Sequence, residues 1–565
     1  MKQRNGNVLW WMGIGIWTLI NLLQAGLTEL DPDEAYYWMY SHALDWGYFD
    51  HPPAVAVLIR FGTALFTGEL GVRLMTVLLL VLTARLIWKL AGSPGQPKQV
   101  GLLLLMLVAM PMFQVYGFIA TPDAPLLFTT ALFFLFYKKF LERTNWITAL
   151  GMGLGMALLL YSKYHGLLVI GFTVLSNFKL WKKAWFYVAG LFGVLLFTPH
   201  LWWQYQHDFP SFRYHLVGRD DPYELKHTLN YIVNQLLIFN PFLLPLILSM
   251  LWKYPIKDKL ERAFYFIIIG FVGFFFLSTF KGHAEPQWNA VLSIPLVVML
   301  YRYGQDKPVF QKWIRYIGFA SIGLFLLART LLIYEFFDIK SHFHNRTWVH
   351  ELEETADDAP VIFQNSYREA SKFNFYSDVD AYTFTDIAYR QNQYDLWDWE
   401  KQWHDQRVLI VGQPDWECSN CQPRELTGLN KMLKFADSLQ VTQKVRVDFQ
   451  NDNGQWQAGQ IKNFLLDIQN PYEHKVNFHA GNMPPSLIAL LLDNSGEEVI
   501  IPLQFAPPLD ILPAAGKQKI NAQFVIPDTL RGSYRFGFGI QTGDLLPRLC
   551  SPVIDIQVQS INKDQ

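Results

Sequence analysis

The chain has 565 residues, of which 51% are hydrophobic, 16% aromatic and only 17% charged, with a formal net charge of −1. Soluble proteins carry about 25% charged residues, so a single water-soluble enzyme domain is excluded, and so is a disordered chain. The balanced charge offers no general attraction to nucleic acid, and three cysteines are too few for a disulfide-built scaffold.

In chain order, apolar stretches near the roughly 20 residues that a bilayer-crossing helix needs fall at about 8–28, 70–92, 99–120, 123–141, 146–162, 164–180, 184–202, 228–252, 263–280, 286–303 and 315–337. They predict a polytopic α-helical membrane domain of about eleven spans over residues 1–340. Residues 53–66 (PPAVAVLIRFGTAL) are shorter and flanked by proline, and read as interfacial or re-entrant. The first span follows Lys2 and Arg4 but lacks a small-residue cleavage site, so it is expected to be retained. Lys89 and Lys98, Lys138 and Lys139, Lys179, Lys182 and Lys183, Lys253 to Arg262, and Arg302 to Arg315 fall in alternate connections, predicted to be cytoplasmic together with the N-terminus. The opposite connections hold every histidine of the first 340 residues, along with Asp31, Asp33, Glu34, Asp50, Asp123 and Glu285. An odd number of spans places the C-terminal tail on that outer side of a multi-pass membrane protein.

Past residue 340 the pattern changes. Residues 341–440 read as a small α/β unit, with strands at 360–366, 381–384 and 407–413 and helices near 366–376 and 425–439. Residues 441–565 read as a β-sandwich-like domain, with short strands set off by NDNG, NPYE, DNSG and PAAG turns. In CSNC, Cys418 and Cys421 are expected to form a local disulfide outside the cytoplasm, since no second CxxC or histidine pair completes a metal site. Cys550 is left over and expected to be buried.

The informative stretch is LDPDEAYYWMYSHALDWGYFDHPP, residues 30–53. Asp31, Pro32 and Glu34 fit an N-cap, a first helical position and a capping-box acid, which alone would make the acids structural. Their position argues for more: they sit where the first span leaves the bilayer, ahead of a helix rich in Tyr36, Tyr37, Trp38 and Tyr40 that should lie along the interface. Asp123 opens the fourth span on the same side, in TPDAPL. A carboxylate at membrane depth is costly and has a partner or a function. Trp202, Trp203, Tyr205 and Trp288 read as interfacial belt more readily than as a sugar-stacking platform.

The Asp-Glu pair, YFDHPP, the following GVRL, TPDAPL and KGHAEPQW together resemble the GT-C superfamily of polyprenyl-phosphate-sugar-dependent glycosyltransferases, in the bacterial branch related to protein O-mannosyltransferases and the lipid A aminoarabinose transferase. The resemblance covers the first 340 residues or so and implies transfer of a sugar, with inversion, from a polyprenyl-phosphate carrier to a hydroxyl of an envelope lipid, glycan or protein on the outer face. It makes Asp33 the candidate base, with Glu34 as neighbour or orienting partner and Asp123 as a second carboxylate. Adjacent positions on a helix point in different directions, so only one of Asp33 and Glu34 is expected to face the reacting centre. The departing phosphate needs cations or donors; the candidates are His51, Arg73, Lys163, Arg219 and Lys281, with Arg60, Arg213 and Lys226 as further outer cations. Relatives carry lysine before the proline where this chain has His51, so the phosphate contact is expected either as a hydrogen bond from His51 or at Lys163, Lys281 or an arginine. His283 and Glu285 are substrate-binding candidates. With Asp33, Asp50 or Asp123 they leave a divalent metal open, although no metal ligand set is assigned. Two other classes compete: a lipid-linked saccharide transporter or flippase, and a membrane-anchored glycan-binding protein. Polar residues gathered at one face, without two related halves, favour surface chemistry over passage.

Overall fold

Long apolar runs make long helices in the first part of the chain, and proline decides where several others stop. The computed structural model describes residues 2–216, 222–334, 343, 345–450, 452–493 and 498–559. The chain forms two units, Met1–His344 and Asn345–Gln565. The first runs through α1 (Lys2–Leu27), α2 (Pro32–His42), α3 (Ala54–Thr63), α4 (Gly68–Leu90), α5 (Pro97–Ala109), α6 (Pro111–Val115), α7 (Asp123–Glu142) and α8 (Trp146–Ser162). It continues through α9 (Gly166–Leu175), α10 (Ala184–Gln206), α11 (Pro210–Leu216), α12 (Leu225–Ile238), α13 (Leu244–Lys253), α14 (Lys259–Ser278), α15 (Ser293–Gly304) and α16 (Pro308–Ile333).

Among the described residues six helices, α1, α4, α7, α10, α14 and α16, are long and apolar enough to cross a bilayer. The other five apolar stretches form shorter or interrupted helices. The stretch at 99–120 divides into α5 and α6 at Pro111, and that at 228–252 divides into α12 and α13 around Asn240 and Pro241. Proline removes a backbone donor and cannot continue the turn. Broken helix at membrane depth persists only where its freed carbonyls find donors. Here Asn240 Nδ2 donates to Ala109 O at 2.9 Å, and Gln114 Nε2 donates to Val108 O at 2.8 Å. The stretch at 286–303 begins as a 3-10 turn, Pro286–Leu292, before α15.

Lipid offers no hydrophobic drive between helices, so association depends on close packing. A Cβ on Gly153 of α8 would stand 2.5 Å from Ala189 O of α10, so only glycine permits that approach. Faces turned away from the bundle are apolar: Leu191 and Leu195 of α10 and Phe319 and Leu327 of α16 are exposed. These faces are stable only in a hydrocarbon solvent, and the protein is a multi-pass membrane protein.

The second unit begins with a five-stranded sheet. Val361–Gln364 pairs in parallel with Ala381–Phe384 and Val408–Gly412, and the antiparallel pair Leu429–Ala436 and Gln422–Leu426 extends it. The expected helix near 425–439 is therefore strand. Gly428, at φ +76°, closes a two-residue turn with Thr427, and Leu426 pairs with Leu429. Apolar residues spaced to suit a helix face were outweighed by pairing with the buried strand Val408–Gly412. The remainder is mostly antiparallel β-sheet in two main layers, with one parallel pair, Gln455–Gln457 with Ile554–Gln559. One layer is built on Pro485–Leu492 and Gly532–Thr542, the other on Lys517–Val525 and Ile461–Gln469. Trp456, Phe464, Phe524 and Phe536 pack together in its core. Cys418 and Cys421 form a disulfide, and Cys550 is half-buried rather than fully buried.

Candidate active site

The site is built where α1 ends. Asp31 caps α2: its carboxylate accepts from the Asp33 amide at 3.0 Å, and the Asp31 amide donates to Glu34 at 3.0 Å, closing the capping box. Glu34 is also fully buried and ion-paired with Arg73 of α4, whose Nε donates to Glu34 Oε1 at 2.8 Å. Arg73 further donates to the carbonyls of Thr28, Ala25 and Glu29, the last turn of α1 and its exit. Glu34 Oε1 accepts from the Ala120 amide at 2.7 Å, just before α7. The Glu34–Arg73 pair therefore ties α1, α2, α4 and the approach to α7 at one point. The two charges satisfy each other, which suits Glu34 to the place of a neighbour to Asp33 and engages Arg73, a substrate-binding candidate, within the fold.

Asp33, one position earlier, points elsewhere and is half-buried. Asp31, Asp33, Asp123 and Glu285 all act electrostatically on the phenol of Tyr116, a residue at the end of α6. Four carboxylates that the chain scatters over 255 residues thus each contribute charge at one buried phenol. Asp123 is 4% exposed, and both its oxygens accept from Lys163 Nζ, at 2.9 and 2.8 Å. Lys163 ends α8 and is 5% exposed, so it meets Asp123 rather than a headgroup at the surface.

The YFDHPP segment lies against the same end of the bundle. Asp50 accepts from the hydroxyls of Tyr36 at 2.9 Å and Tyr40 at 3.2 Å, which turns the aromatic face of α2 into a support for this loop. His51 is half-buried, edge-on to Tyr37 at 5.7 Å and 6.5 Å from the ring of His215 in α11. Ser211 of α11 donates to Tyr48 O at 3.0 Å, and His215 contacts Asp50 O at 3.2 Å, so α11 lies over the loop. Trp203 is buried and donates to Asp45 at 2.8 Å, whereas Trp202 and Tyr205 are exposed, as an interfacial belt requires.

Lys281 stands exposed in the 3-10 turn Thr279–Lys281, with no carboxylate in ion-pair reach among the described residues. His283 is exposed and Glu285 half-buried, 3.8 Å apart. Lys226 pairs with Glu224 at 2.6 Å, and Arg60 and Arg213 are exposed. Arg219 lies outside the described residues. Among the described residues no three His, Cys, Asp or Glu side chains come close enough together to hold a metal ion.

Sequence reasoning missed two residues of this region. Tyr116 is embedded in an apolar run, and its only signal is a hydroxyl beside the Gly117 break. Arg329 of α16 is 6% exposed and donates to Asn21 Oδ1 and Gln114 O, each at 2.8 Å. Arg73 and Arg329 lie 5.6 and 5.0 Å from the ring of Phe118. An arginine inside a predicted span was the available signal.

Residues 50–203 match the dolichyl-phosphate-mannose-protein mannosyltransferase family. Over 220 residues the chain is 30% identical to the lipid A galacturonosyltransferase RgtD of Rhizobium johnstonii, a match spanning 38% of this chain and 46% of that protein. The chain thus spans about half the length of this curated relative. Among solved structures, ArnT of Cupriavidus metallidurans superimposes with a TM-score of 0.56 in its apo state and 0.56 when bound to undecaprenyl phosphate. The identities are 11% and 13%, covering 75% of this chain and 97% of ArnT in both cases. The chain therefore has the fold of ArnT over three quarters of its length, and within it a segment from Asp50 to Trp203 similar to the dolichyl-phosphate-mannose-protein mannosyltransferases.

Proposed function

We propose that this protein is an integral membrane glycosyltransferase that moves a sugar from a polyprenyl-phosphate carrier to a hydroxyl of an envelope lipid of the lipid A type, with inversion, on the outer face of a bacterial inner membrane. The observation that carries the reading is the half-buried Asp33 at the start of α2, in the same unit as the buried Asp123–Lys163 pair, with both acids contributing charge at the Tyr116 phenol. The names of the relatives, a lipid A galacturonosyltransferase and an undecaprenyl-phosphate-bound ArnT, support the classes of acceptor and carrier.

In this mechanism the acceptor hydroxyl gives its proton to Asp33 as its oxygen bonds to the anomeric carbon. The bond from that carbon to the carrier phosphate breaks, and the carrier leaves as a phosphate anion. Asp123, held by Lys163, orients the sugar or the acceptor. Lys281, exposed and without a carboxylate partner among the described residues, meets the departing phosphate, and His283 and Glu285 frame that side. His51 contributes a hydrogen bond rather than a fixed charge, since histidine is partly neutral near pH 7. The N-terminus lies in the cytoplasm and the tail outside. The lysine-rich alternate connections support this orientation, and the Cys418–Cys421 disulfide fits an oxidising compartment.

The test is mass spectrometry of envelope lipids from cells with and without the gene, repeated with Asp33→Asn. Loss of one sugar from a lipid in both the deletion and the variant is expected. An unchanged lipid profile in the deletion, or full transfer by Asp33→Asn, overturns the proposal.

A further inference from the structure

The end of the membrane unit opposite Asp33 holds, among other cations, Lys183, Lys259 and Arg262, which no carboxylate pairs with among the described residues. Lys183 precedes α10, and its ammonium donates to Thr144 Oγ1 at 2.5 Å and lies 5.3 Å from the ring of Phe140, at the far end of α7. Lys259 opens α14 and is exposed. Arg262, one turn further on, is within charge reach of Tyr137 of α7, and its Nε is buried without a hydrogen-bond partner. None of the three has a carboxylate in ion-pair reach among the described residues. Burial, with the neighbouring Lys259 ammonium, holds Lys183 below the ordinary lysine range. The nearest acids, Asp258 and Glu261, are engaged by Arg302 at 3.2 and 2.7 Å, and Tyr254 adds a hydrogen bond to Glu261 at 2.6 Å.

A second polar group faces the same place. Asn177 is 2% exposed; its amide donates to the Tyr137 hydroxyl at 3.3 Å, and its Oδ1 is buried without a hydrogen-bond partner. Asn177 Oδ1 and Arg262 Nε, on two residues that both act on Tyr137, are each costly to bury without a partner unless a ligand answers them. Around them Phe178, Trp181 and Trp185 are exposed, the aromatic setting of a membrane-water boundary.

We propose that Lys183, Lys259 and Arg262 hold the phosphodiester of an anionic phospholipid, while Asn177 accepts a hydrogen bond from a hydroxyl of its headgroup. Basic pockets between helices at the cytoplasmic surface bind anionic headgroups in this way. A glycerol headgroup supplies both the phosphate oxygens and the hydroxyl donor. A choline headgroup supplies no such donor and carries a cation of its own. The exposed aromatic side chains would border the lipid's glycerol and upper acyl region, which free phosphate does not have.

The experiment is native mass spectrometry of the full-length protein in detergent, titrated separately with phosphatidylglycerol, phosphatidylcholine and inorganic phosphate. Phosphatidylglycerol is expected to bind and phosphatidylcholine not to compete. One kcal/mol per removed cation corresponds to roughly fivefold, so Lys183→Gln with Arg262→Gln should weaken phosphatidylglycerol binding by about 25-fold. Lys259→Gln, on an exposed side chain, should weaken it by about fivefold even if the double variant is poorly folded. Lys312→Gln, on α16, should leave it unchanged. Equal binding of both lipids, or unchanged phosphatidylglycerol binding in Lys259→Gln, overturns the site. Inorganic phosphate that binds and is not displaced by phosphatidylglycerol overturns the lipid assignment in favour of a free-anion site.

Discussion

Neighbouring acids with opposite duties give the most decisive test. Glu34→Gln removes the charge that faces Arg73, a guanidinium with no solvent exposure. The glutamine keeps one acceptor oxygen where the carboxylate served Arg73, the Ala120 amide and the Asp31 amide, and its new NH2 group meets donors. Breaking a buried pair by removing one partner costs about 3–5 kcal/mol, because the other charge is left uncompensated. Asp33→Asn changes a half-buried residue in the first turn of α2, where the helix dipole contributes about 0.3–1 kcal/mol. Thermal unfolding of purified protein in detergent should therefore show a larger fall in midpoint for Glu34→Gln than for Asp33→Asn. Sugar transfer should be lost in Asp33→Asn although the protein is fully folded. A Glu34→Gln protein as stable as the parent, or an Asp33→Asn protein that unfolds as readily as Glu34→Gln, would refute the division of labour.

Asp123→Asn strands Lys163 at 5% exposure and should cost about 3–5 kcal/mol in the same unfolding assay. Adding Lys163→Met should recover most of that stability but no transfer, which a lipid-modification assay would read. Asn240→Ala leaves the Ala109 carbonyl and the Ser321 hydroxyl without their donor; a loss of about 1–3 kcal/mol is expected, measured by denaturant titration in detergent. In the tail, His404 stacks on His474 at 3.5 Å, and burial, reinforced by the other ring, pulls its pKa down to about 4. The folded state therefore holds it neutral while the unfolded chain, near 6.5, takes up a proton. Stability contributed there is full above about pH 6.5 and falls as pH drops toward 4. Limited proteolysis of the tail should accelerate over that window, and His404→Gln should flatten the dependence.

How much of the site was legible depends on where each residue's partner lies. The capping box of Asp31, Pro32 and Glu34 is local and reads directly from spacing, and the hydrogen bonds follow it. That Glu34 spends its charge on Arg73, 39 residues away, is not local. Lys163 reads as a snorkelling lysine because it ends an apolar run, yet its ammonium is drawn to Asp123, 40 residues earlier. The segment near 425–439 shows the same limit in the tail, where pairing with a distant strand overrode a helical spacing.

From the sequence alone came the bilayer environment, the concentration of acids and histidines at one face, the CSNC disulfide and the family resemblance. Each depends on composition, or on contacts within a few residues. Tertiary structure decided which acids are already neutralised and which cations stay open, where prolines break the apolar stretches, and that Tyr116 and Arg329 belong near the site. The physical reason is that a charge in a low-dielectric interior is governed by its nearest opposite charge and hydrogen-bond donors, and helix packing brings those neighbours from remote parts of the chain.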